Sequence, residues 1–434
     1  MQRYKHITLL TISKVPTRFN ISDLSTIGQE YPPSYPFTLN GCAHWMREPG
    51  TDNSINFNYR KGITGPPWVE VLRYRPEHTY QTPEVIATFK PTKFSYIHSF
   101  SVTENYVIIM FYPVVINPKK YPESNFHAFE LFENNQTDTT DTYVVHTKTG
   151  AVQGPFRSPW QYSAHHMNAY ESSDSEIIMD ITPTPFDNMR SYLSLQNMMN
   201  PPEDGSPELE LSTTGGEEIL RYTLDMRETK VAQSKFPNTI NSKYINAFDF
   251  PTINEAYRGK KYCYIYGVSS FAYSRTALVK KNVCDSSDDK VKLIECLVIQ
   301  SNRRKESQDC SSLLFPIPRS TPCPPLAFLP ILTEFNTRAT NYHAFQVYYV
   351  ENNYMSEMHF LPNPSGKAED DGVLITIGFD GEHEKSYLLL LDATTFRPMN
   401  KAYLPHHIPW SAHGMHFPEA GSPGKRKSNR KTEL

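Results

Sequence analysis

The chain has 434 residues, enough for one large domain or for two to three of ordinary size. Its formal net charge of −3 excludes the strong positive field by which nucleic-acid-binding proteins collect phosphates, so we expect no nucleic-acid partner. The 27 tyrosines and 24 phenylalanines supply large side chains for a core, and 35 prolines predict many loop breaks and few long helices.

The first element is an N-terminal segment, residues 1–22, whose apolar run Ile7–Ile12 is short for a signal peptide and lacks a cleavage site. No stretch approaches the roughly 20 apolar residues that a transmembrane helix needs. The cysteines show no CxxC pair or zinc-finger spacing, which favours free thiols in a reducing compartment. We therefore expect a cytoplasmic chain with six unpaired cysteines. They are Cys42, Cys263, Cys284, Cys296, Cys310 and Cys323.

Short runs rich in β-branched and aromatic residues recur along the chain and end in turn residues, a pattern typical of half-buried strands. One amphipathic helix is predicted around Asp187–Met199, where it would suit a cap. The repeated strand and turn pattern favours an all-β, propeller-like fold. The predicted strands are Val85–Phe89, Tyr106–Phe111, Tyr143–His146, Ile177–Ile181, Tyr262–Tyr266, Val373–Phe379 and Tyr387–Leu391.

Two segments depart from this pattern. Between residues 288 and 346 the proline, cysteine and charge content rises, which indicates an insertion. Its apolar part, Leu313–Leu332, has two interpretations: a poorly ordered loop, or a loop that makes a peripheral membrane contact. Residues 421–434 form a basic tail that we expect to be solvated.

Four of the fifteen histidines stand out by their surroundings: His44, His98, His165 and His413. Neutral imidazole is the commonest protein ligand for mid-row transition metals, and histidines on separate strands can converge on one ion. The alternative is a core histidine whose ring is hydrogen-bonded to a backbone carbonyl. Spacing alone leaves both interpretations open.

Strand parity limits which histidines can act together. His165 and His166 are adjacent, so on a strand they face opposite sides and only one of them can bind a shared ion. His413 and His416, three apart, differ in the same way. Neither doublet is therefore predicted to form a zinc-type chelating pair.

The segments around these histidines resemble, in order, the four histidine motifs of the carotenoid oxygenase family, which includes carotene dioxygenases and the retinoid isomerohydrolase. They read NGCAHW, SYIHSF, HHMNAYE and IPWSAHG, and further similar blocks read FDFPTIN and SEMHF. The resemblance runs through residues 23–420, and HHMNAYE looks more like the animal branch than the plant one.

This resemblance implies a seven-bladed β-propeller with a helical cap over Fe(II), bound by His44, His98, His165 and His413. It implies oxidative cleavage by dioxygen of a double bond in a carotenoid, apocarotenoid or retinoid substrate, giving two carbonyl products. In the family, glutamates orient three of the ligands, and here Glu357 would orient His413.

Asp249 takes a glutamate position and would face His165. Because its side chain is one methylene shorter, we expect the direct bond to be longer or replaced by a water bridge. The glutamate that would support His98 should precede His44, in a stretch with no matching segment.

Only about 43 residues precede His44, so the resemblance predicts an incomplete propeller that lacks its first blades. Two alternatives to carotenoid cleavage stay open. One is retinoid isomerohydrolase activity at the same four ligands, and the other is an inactive remnant that binds a lipid or a partner.

Overall fold

A computed structural model describes residues 6–9, 17–20, 23, 25–29, 38–39, 42, 44–60, 67–75, 83–120, 131–184, 186, 219–235, 248–271, 275–284, 345–350, 352–409 and 413–414. Within these ranges the regular secondary structure is almost all strand, and 3-10 turns lie at Pro118–Lys120 and Glu255–Tyr257. The all-β prediction is confirmed. The helix predicted around Asp187–Met199 lies outside the described residues.

Five antiparallel sheets of four or five strands follow one another along the chain, and we number them blades 1 to 5. Blade 1 contains β4 (Thr38–Leu39), β5 (Met46–Arg47), β6 (Ser54–Arg60), β7 (Trp68–Tyr74) and β8 (Glu84–Phe89). Blade 2 contains β9 (Ser101–Val102), β10 (Tyr106–Phe111), β13 (Thr140–His146) and β14 (Val152–Ser158). Blade 3 contains β15 (His166–Ser173), β16 (Glu176–Ile181), β17 (Leu220–Asp225) and β18 (Lys230–Lys235).

Blade 4 contains β19 (Phe248–Thr252), β20 (Tyr264–Phe271), β21 (Arg275–Asn282) and β22 (Phe345–Tyr348). Blade 5 contains β23 (Asn353–Met355), β24 (His359–Pro362), β25 (Gly372–Asp380), β26 (Lys385–Asp392) and β27 (Pro398–Tyr403). Two smaller sheets pair β1 (His6–Leu9), β2 (Thr17–Asn20) and β3 (Thr26–Gln29), and β11 (Val114–Ile116) with β12 (Phe132–Asn134). The count of seven blades stays a prediction.

The core lies between successive blades, because the central strands are buried on both faces. Neighbouring residues of one strand point into different interfaces, as the two-residue period of a strand requires. The interfaces from blade 1–2 to blade 4–5 contain, in order, Val71 with Ile109, Met110 with Met179, Ile178 with Val279, and Leu278 with Leu389. Radial stacking of this kind is the packing of a propeller.

Half-buried carboxylates link neighbouring blades. The side chain of Glu171 on β15 accepts hydrogen bonds from Thr103 Oγ1 at 2.6 Å and from the backbone N–H of Asn105 at 2.9 Å, so it joins blade 3 to blade 2. Glu369 accepts the backbone N–H groups of Cys263 and Tyr264 at 2.9 and 2.8 Å, which joins blade 5 to blade 4. Blades held in this way can present side chains to a common centre.

Two residues expected to be free thiols form a disulfide instead. Cys263 and Cys284, 21 residues apart, are bonded with a Cα–Cα distance of 5.0 Å. They lie just beyond the paired ends of β20 and β21, where Tyr264 is opposite Asn282. Strand pairing thus brings them together, and motif spacing could not show it. Disulfides persist mainly in oxidising compartments, so this pair weighs against the reducing location that we expected.

The other sequence predictions for this part are mixed. The strand expected at Tyr262–Tyr266 begins at Tyr264, and the other predicted strands overlap β8, β10, β13, β16, β25 and β26. The predicted insertion, residues 288–346, begins after β21, and its last two residues are the first two of β22, which is hydrogen-bonded to β21. Its residues 288–344 lie outside the described part. Leu313–Leu332 and the basic tail 421–434 lie outside it as well. Among the described residues, no helix has the length and apolarity needed to cross a bilayer.

Candidate metal centre

The four histidines singled out in the sequence meet at the inner ends of the blades. His44 precedes β5, His98 precedes β9, His165 directly precedes β15, and His413 follows β27. One ring nitrogen from each can be chosen so that all four atoms lie within 4.8 Å of one another. Among the described residues, this is the one group of three or more potential metal ligands that converges in this way.

The rings face one another through Nε2. The Nε2 atoms of His44 and His98 are 3.0 Å apart, and those of His165 and His413 are 3.2 Å apart. The ring of His44 is 4.6 to 4.9 Å from the other three, centroid to centroid. Nitrogen donors that each lie about 2.1 Å from one ion, at right angles, are about 3 Å apart, so the spacing suits a single metal ion.

Two carboxylates contact the opposite side of the rings. Asp249 Oδ1 lies 2.7 Å from Nδ1 of His165, and Glu357 Oε1 lies 3.3 Å from Nδ1 of His413. A carboxylate accepts a hydrogen bond, so both Nδ1 atoms carry a proton and both Nε2 atoms present a lone pair. These lone pairs oppose each other at 3.2 Å, an arrangement that a cation between them would stabilise.

The contact of Asp249 with His165 is direct, which contradicts the expected lengthening. The backbone compensates for the shorter side chain: the β19–β20 register is irregular between Asp249 and Thr252, and Phe250 has a φ of 53°. The same carboxylate oxygen accepts the N–H of Phe250 at 2.9 Å. A left-handed conformation at a phenylalanine is rare and indicates strain held by the surroundings.

The electrostatic environment keeps two rings in the neutral form that binds metals. Burial lowers the pKa of His98 to about 3, and the nearby His165 contributes to the shift. Burial and the same crowding place the pKa of His44 far below its usual range. Burial also disfavours charge on His165, but the Asp249 carboxylate outweighs it and raises the pKa of that ring. Of these three rings, His165 therefore takes up an added proton most readily, beside Asp249.

The neighbouring histidine has a different role. His166 points away from the cluster, as strand parity predicted, and both of its nitrogens are occupied. Nδ1 lies 2.8 Å from Ser101 Oγ and Nε2 lies 2.8 Å from the hydroxyl of Tyr112. Burial lowers its pKa to about 3, so His166 is a neutral core residue. His416 lies outside the described residues.

Two further residues, Cys42 and Tyr96, contact the cluster. The thiol of Cys42 donates to the backbone oxygen of His98 at 2.6 Å and accepts the N–H of His44 at 3.2 Å, so it ties two ligand segments together. Tyr96 places its hydroxyl 3.1 Å from Nδ1 of His98. Both residues stand two positions before a histidine, and that spacing puts side chains on the same side of an extended chain.

Comparison with known proteins identifies the family. The family model described as retinal pigment epithelial membrane protein (RPE65) matches residues 4–418, nearly the whole chain. The chain belongs to the carotenoid cleavage oxygenase family. The match begins at residue 4, ahead of residue 23, where the resemblance of the motifs starts.

Several oxygenases of this family are similar in sequence. A carotenoid dioxygenase of Neurospora crassa is 23% identical over 411 residues, covering 87% of this chain and 56% of the relative. The carotenoid 9,10(9',10')-cleavage dioxygenase 1 of Arabidopsis thaliana is 22% identical over 430 residues, covering 96% of this chain and 65% of the relative. The chain thus spans less than two thirds of the length of these oxygenases.

Solved structures of the family share the fold. Cobalt-substituted apocarotenoid oxygenase of Synechocystis superposes with a TM-score of 0.65 at 18% identity, covering 96% of this chain and 73% of that one. A chimera of that oxygenase with RPE65 gives a TM-score of 0.64 at 17% identity, covering 94% of this chain and 71% of the chimera. The likeness to these solved structures therefore covers at least 94% of the chain.

Proposed function

We propose that this chain binds Fe(II) through Nε2 of His44, His98, His165 and His413 and cleaves a double bond of a carotenoid or apocarotenoid with dioxygen. The observation that carries the proposal is the distance of 3.2 Å between Nε2 of His165 and Nε2 of His413. The carboxylates of Asp249 and Glu357 accept from the Nδ1 atoms of these rings, so the two Nε2 atoms face each other with their lone pairs. The similar proteins, which are carotenoid dioxygenases and an apocarotenoid oxygenase, support the choice of reaction.

The donor set suits iron better than it suits a structural zinc. Four neutral imidazoles add no charge to the ion, and zinc in structural sites prefers a closed tetrahedron that commonly includes thiolates. Cys42 supplies no thiolate, because burial raises its pKa well above the usual range and its thiol is bonded to the His98 carbonyl. Bound iron would supply the activation of dioxygen.

The residues around the rings would hold an apolar, conjugated substrate and exclude water. The ring of Phe250 lies 5.3 Å from those of both His165 and His413. On the His98 side, the rings of Tyr96 and Phe132 are stacked at 4.5 Å. Flat aromatic walls pack well against a polyene, whose own faces are flat and uncharged.

The proposed reaction adds both atoms of one dioxygen across one carbon–carbon double bond. That bond breaks, and each of its carbons becomes a carbonyl carbon, so no further reductant is needed. Asp249 and Glu357 would keep Nδ1 of His165 and His413 protonated throughout, which fixes both rings in the metal-binding tautomer.

The test is product analysis with iron-loaded protein. Protein reconstituted with Fe(II) without oxygen is given β-carotene or an apocarotenal, then air, and the carbonyl products are identified by chromatography and mass spectrometry. We expect paired aldehyde or ketone products, and none from a His98→Ala variant. The exposed histidine variant His383→Ala is the matched control, since its side chain is 60% exposed and remote from the cluster.

The same test also distinguishes two other functions. Incubation with a retinyl ester that gives an isomerised retinol, while carotenoids stay intact, would favour isomerohydrolase activity at the same ligands. Iron binding with no turnover of any of these substrates would favour a remnant that binds a lipid or a partner. The cytoplasmic location and the peripheral membrane contact of Leu313–Leu332 stay predictions.

A further inference from the structure

His98 differs from the other supported histidines in the group behind its ring. The Nδ1 atoms of His165 and His413 face the carboxylates of Asp249 and Glu357. Nδ1 of His98 instead faces the hydroxyl of Tyr96, at 3.1 Å. One of the three partners is therefore uncharged.

Two neighbouring aromatic rings, Phe132 and Tyr162, help to hold Tyr96 in place. The ring is stacked on Phe132 at 4.5 Å with an interplanar angle of 22°, and it lies nearly parallel to Tyr162, at 6.3 Å and 14°. Its backbone N–H donates to the oxygen of Val114 at 2.8 Å. The hydroxyl consequently has a defined position relative to His98.

We infer that Tyr96 is a positioning residue of the metal centre, whose hydroxyl accepts the Nδ1 proton of His98 and so leaves Nε2 free to bind the ion. The inference rests on the proposed four-histidine site. It also assigns a charge balance: the carboxylates of Asp249 and Glu357 match the two positive charges of a divalent ion, and Tyr96 adds no third negative charge. A neutral partner makes His98 a weaker electron donor than a histidine backed by a carboxylate.

The chain offers a matched control in Tyr162. Its ring lies beside that of Tyr96, it is fully buried, and its hydroxyl has no hydrogen-bond partner among the described residues. Tyr96→Phe and Tyr162→Phe each remove one hydroxyl from the same aromatic group. Only the first removes the contact with His98.

The first measurement is the affinity for Co(II), by competition with a chelator, together with the visible absorption bands of the bound ion. We expect Tyr96→Phe to weaken binding roughly tenfold to a hundredfold and to shift the bands. Tyr162→Phe should stay within about twofold of the unchanged protein. Equal affinities and spectra for the two variants would overturn the inference.

The second measurement needs no metal. Long-range ¹⁵N–¹H spectra of histidine-labelled, metal-free protein report which nitrogen carries the proton. His98 should be protonated at Nδ1 in the unchanged protein and in Tyr162→Phe, and should populate the other tautomer in Tyr96→Phe. An Nε2-protonated His98 in the unchanged protein would contradict the inference. If the tautomer is as expected and cobalt does not bind, the proposed function fails, while the hydrogen bond by which Tyr96 sets the tautomer of His98 stands.

Discussion

The carboxylate of Asp249 lies 2.7 Å from Nδ1 of His165, on the side of the ring that faces away from the other three histidines. The two residues come from blades 3 and 4, so this contact fixes one ligand across a blade boundary. Burial disfavours a charged Asp249, but the ring of His165 outweighs burial and lowers the pKa of the carboxyl group. Asp249 is therefore ionised when the ring is aimed at a metal.

Replacing Asp249 by Asn should weaken metal binding. The amide keeps the size of the side chain but loses the charge and adds an N–H group that cannot accept from Nδ1. We expect a loss of roughly tenfold to a hundredfold in cobalt affinity, measured by chelator competition. Asp174→Asn, in the exposed turn between β15 and β16, is the control and should have no effect. An unchanged affinity for Asp249→Asn would show that the contact does not support the site.

Removal of one of the four imidazoles should abolish stoichiometric metal binding. Elemental analysis of protein reconstituted with Fe(II) should find close to one iron per chain, and much less than that in His98→Ala. His383→Ala should retain the full amount, because its side chain contacts Asp380 on the surface of blade 5. Full iron content in His98→Ala would exclude that histidine from the proposed ligand set.

Acid should destabilise the metal-free protein below pH 6.5. His98 and His166 have pKa values of about 3 when folded and of about 6.5 when unfolded. Their neutral burial therefore contributes stability that is complete above pH 6.5 and is lost as the pH falls towards 3. Each can add up to about 1.4 kcal/mol per pH unit to the slope.

The titration of His165 changes the free energy of unfolding with pH in the opposite direction. Its folded pKa is raised, so its contribution is complete below about pH 6.5 and is lost as the pH rises through the folded value. Three histidines (His44, His98 and His166) have lowered pKa values and only His165 among these four has a raised one. The free energy of unfolding should therefore fall as the pH is lowered from 6.5 to 5. Urea titrations of metal-free protein at several pH values measure this slope, and His166→Gln should reduce it. A flat profile would mean that these rings are not buried as neutral groups.

The fold class and one choice within the site follow from local sequence signals. The all-β fold was predictable because short runs such as Val373–Phe379 have strand composition, and the parity argument correctly separated His165 from His166. The convergence of His44 and His413 was not predictable from their spacing, since it depends on how the sheets stack. Only the resemblance of whole motifs pointed to it.

The features that sequence reasoning missed arise from tertiary geometry. Cys263 and Cys284 are bonded because β20 and β21 pair in a register that no cysteine motif encodes. The direct bond of Asp249 depends on the left-handed backbone of Phe250, and phenylalanine gives no signal for that conformation. Tyr96 has a local signal, its spacing of two from His98, but the many tyrosines of this chain make that signal weak.

The disulfide should contribute measurable stability. It closes a loop of 21 residues, for which loop-closure entropy corresponds to about 3 kcal/mol. The double variant Cys263→Ser, Cys284→Ser should therefore unfold at lower urea concentration, and the unchanged protein should match it after reduction. Peptide mapping under non-reducing conditions should recover the linked pair. Two free thiols at these positions in air-oxidised protein would contradict the structure.

At position 250, replacement of phenylalanine by glycine should give a more stable protein than replacement by alanine. Both substitutions remove the aromatic ring that packs on His165 and His413, so the loss of that packing is common to them. They differ at φ 53°, where a Cβ atom costs about 1–2 kcal/mol and glycine has no such penalty. Phe250→Gly should thus be more stable than Phe250→Ala by about 1 kcal/mol, after the greater flexibility of glycine in the unfolded chain is allowed for. Urea unfolding of the two variants measures the difference.

Thr252, also on β19, is the control position. There the glycine variant should be less stable than the alanine variant, since a regular strand residue favours alanine. If alanine proves more stable at both positions, the backbone at Phe250 is not left-handed, and the short reach of Asp249 to His165 needs another explanation.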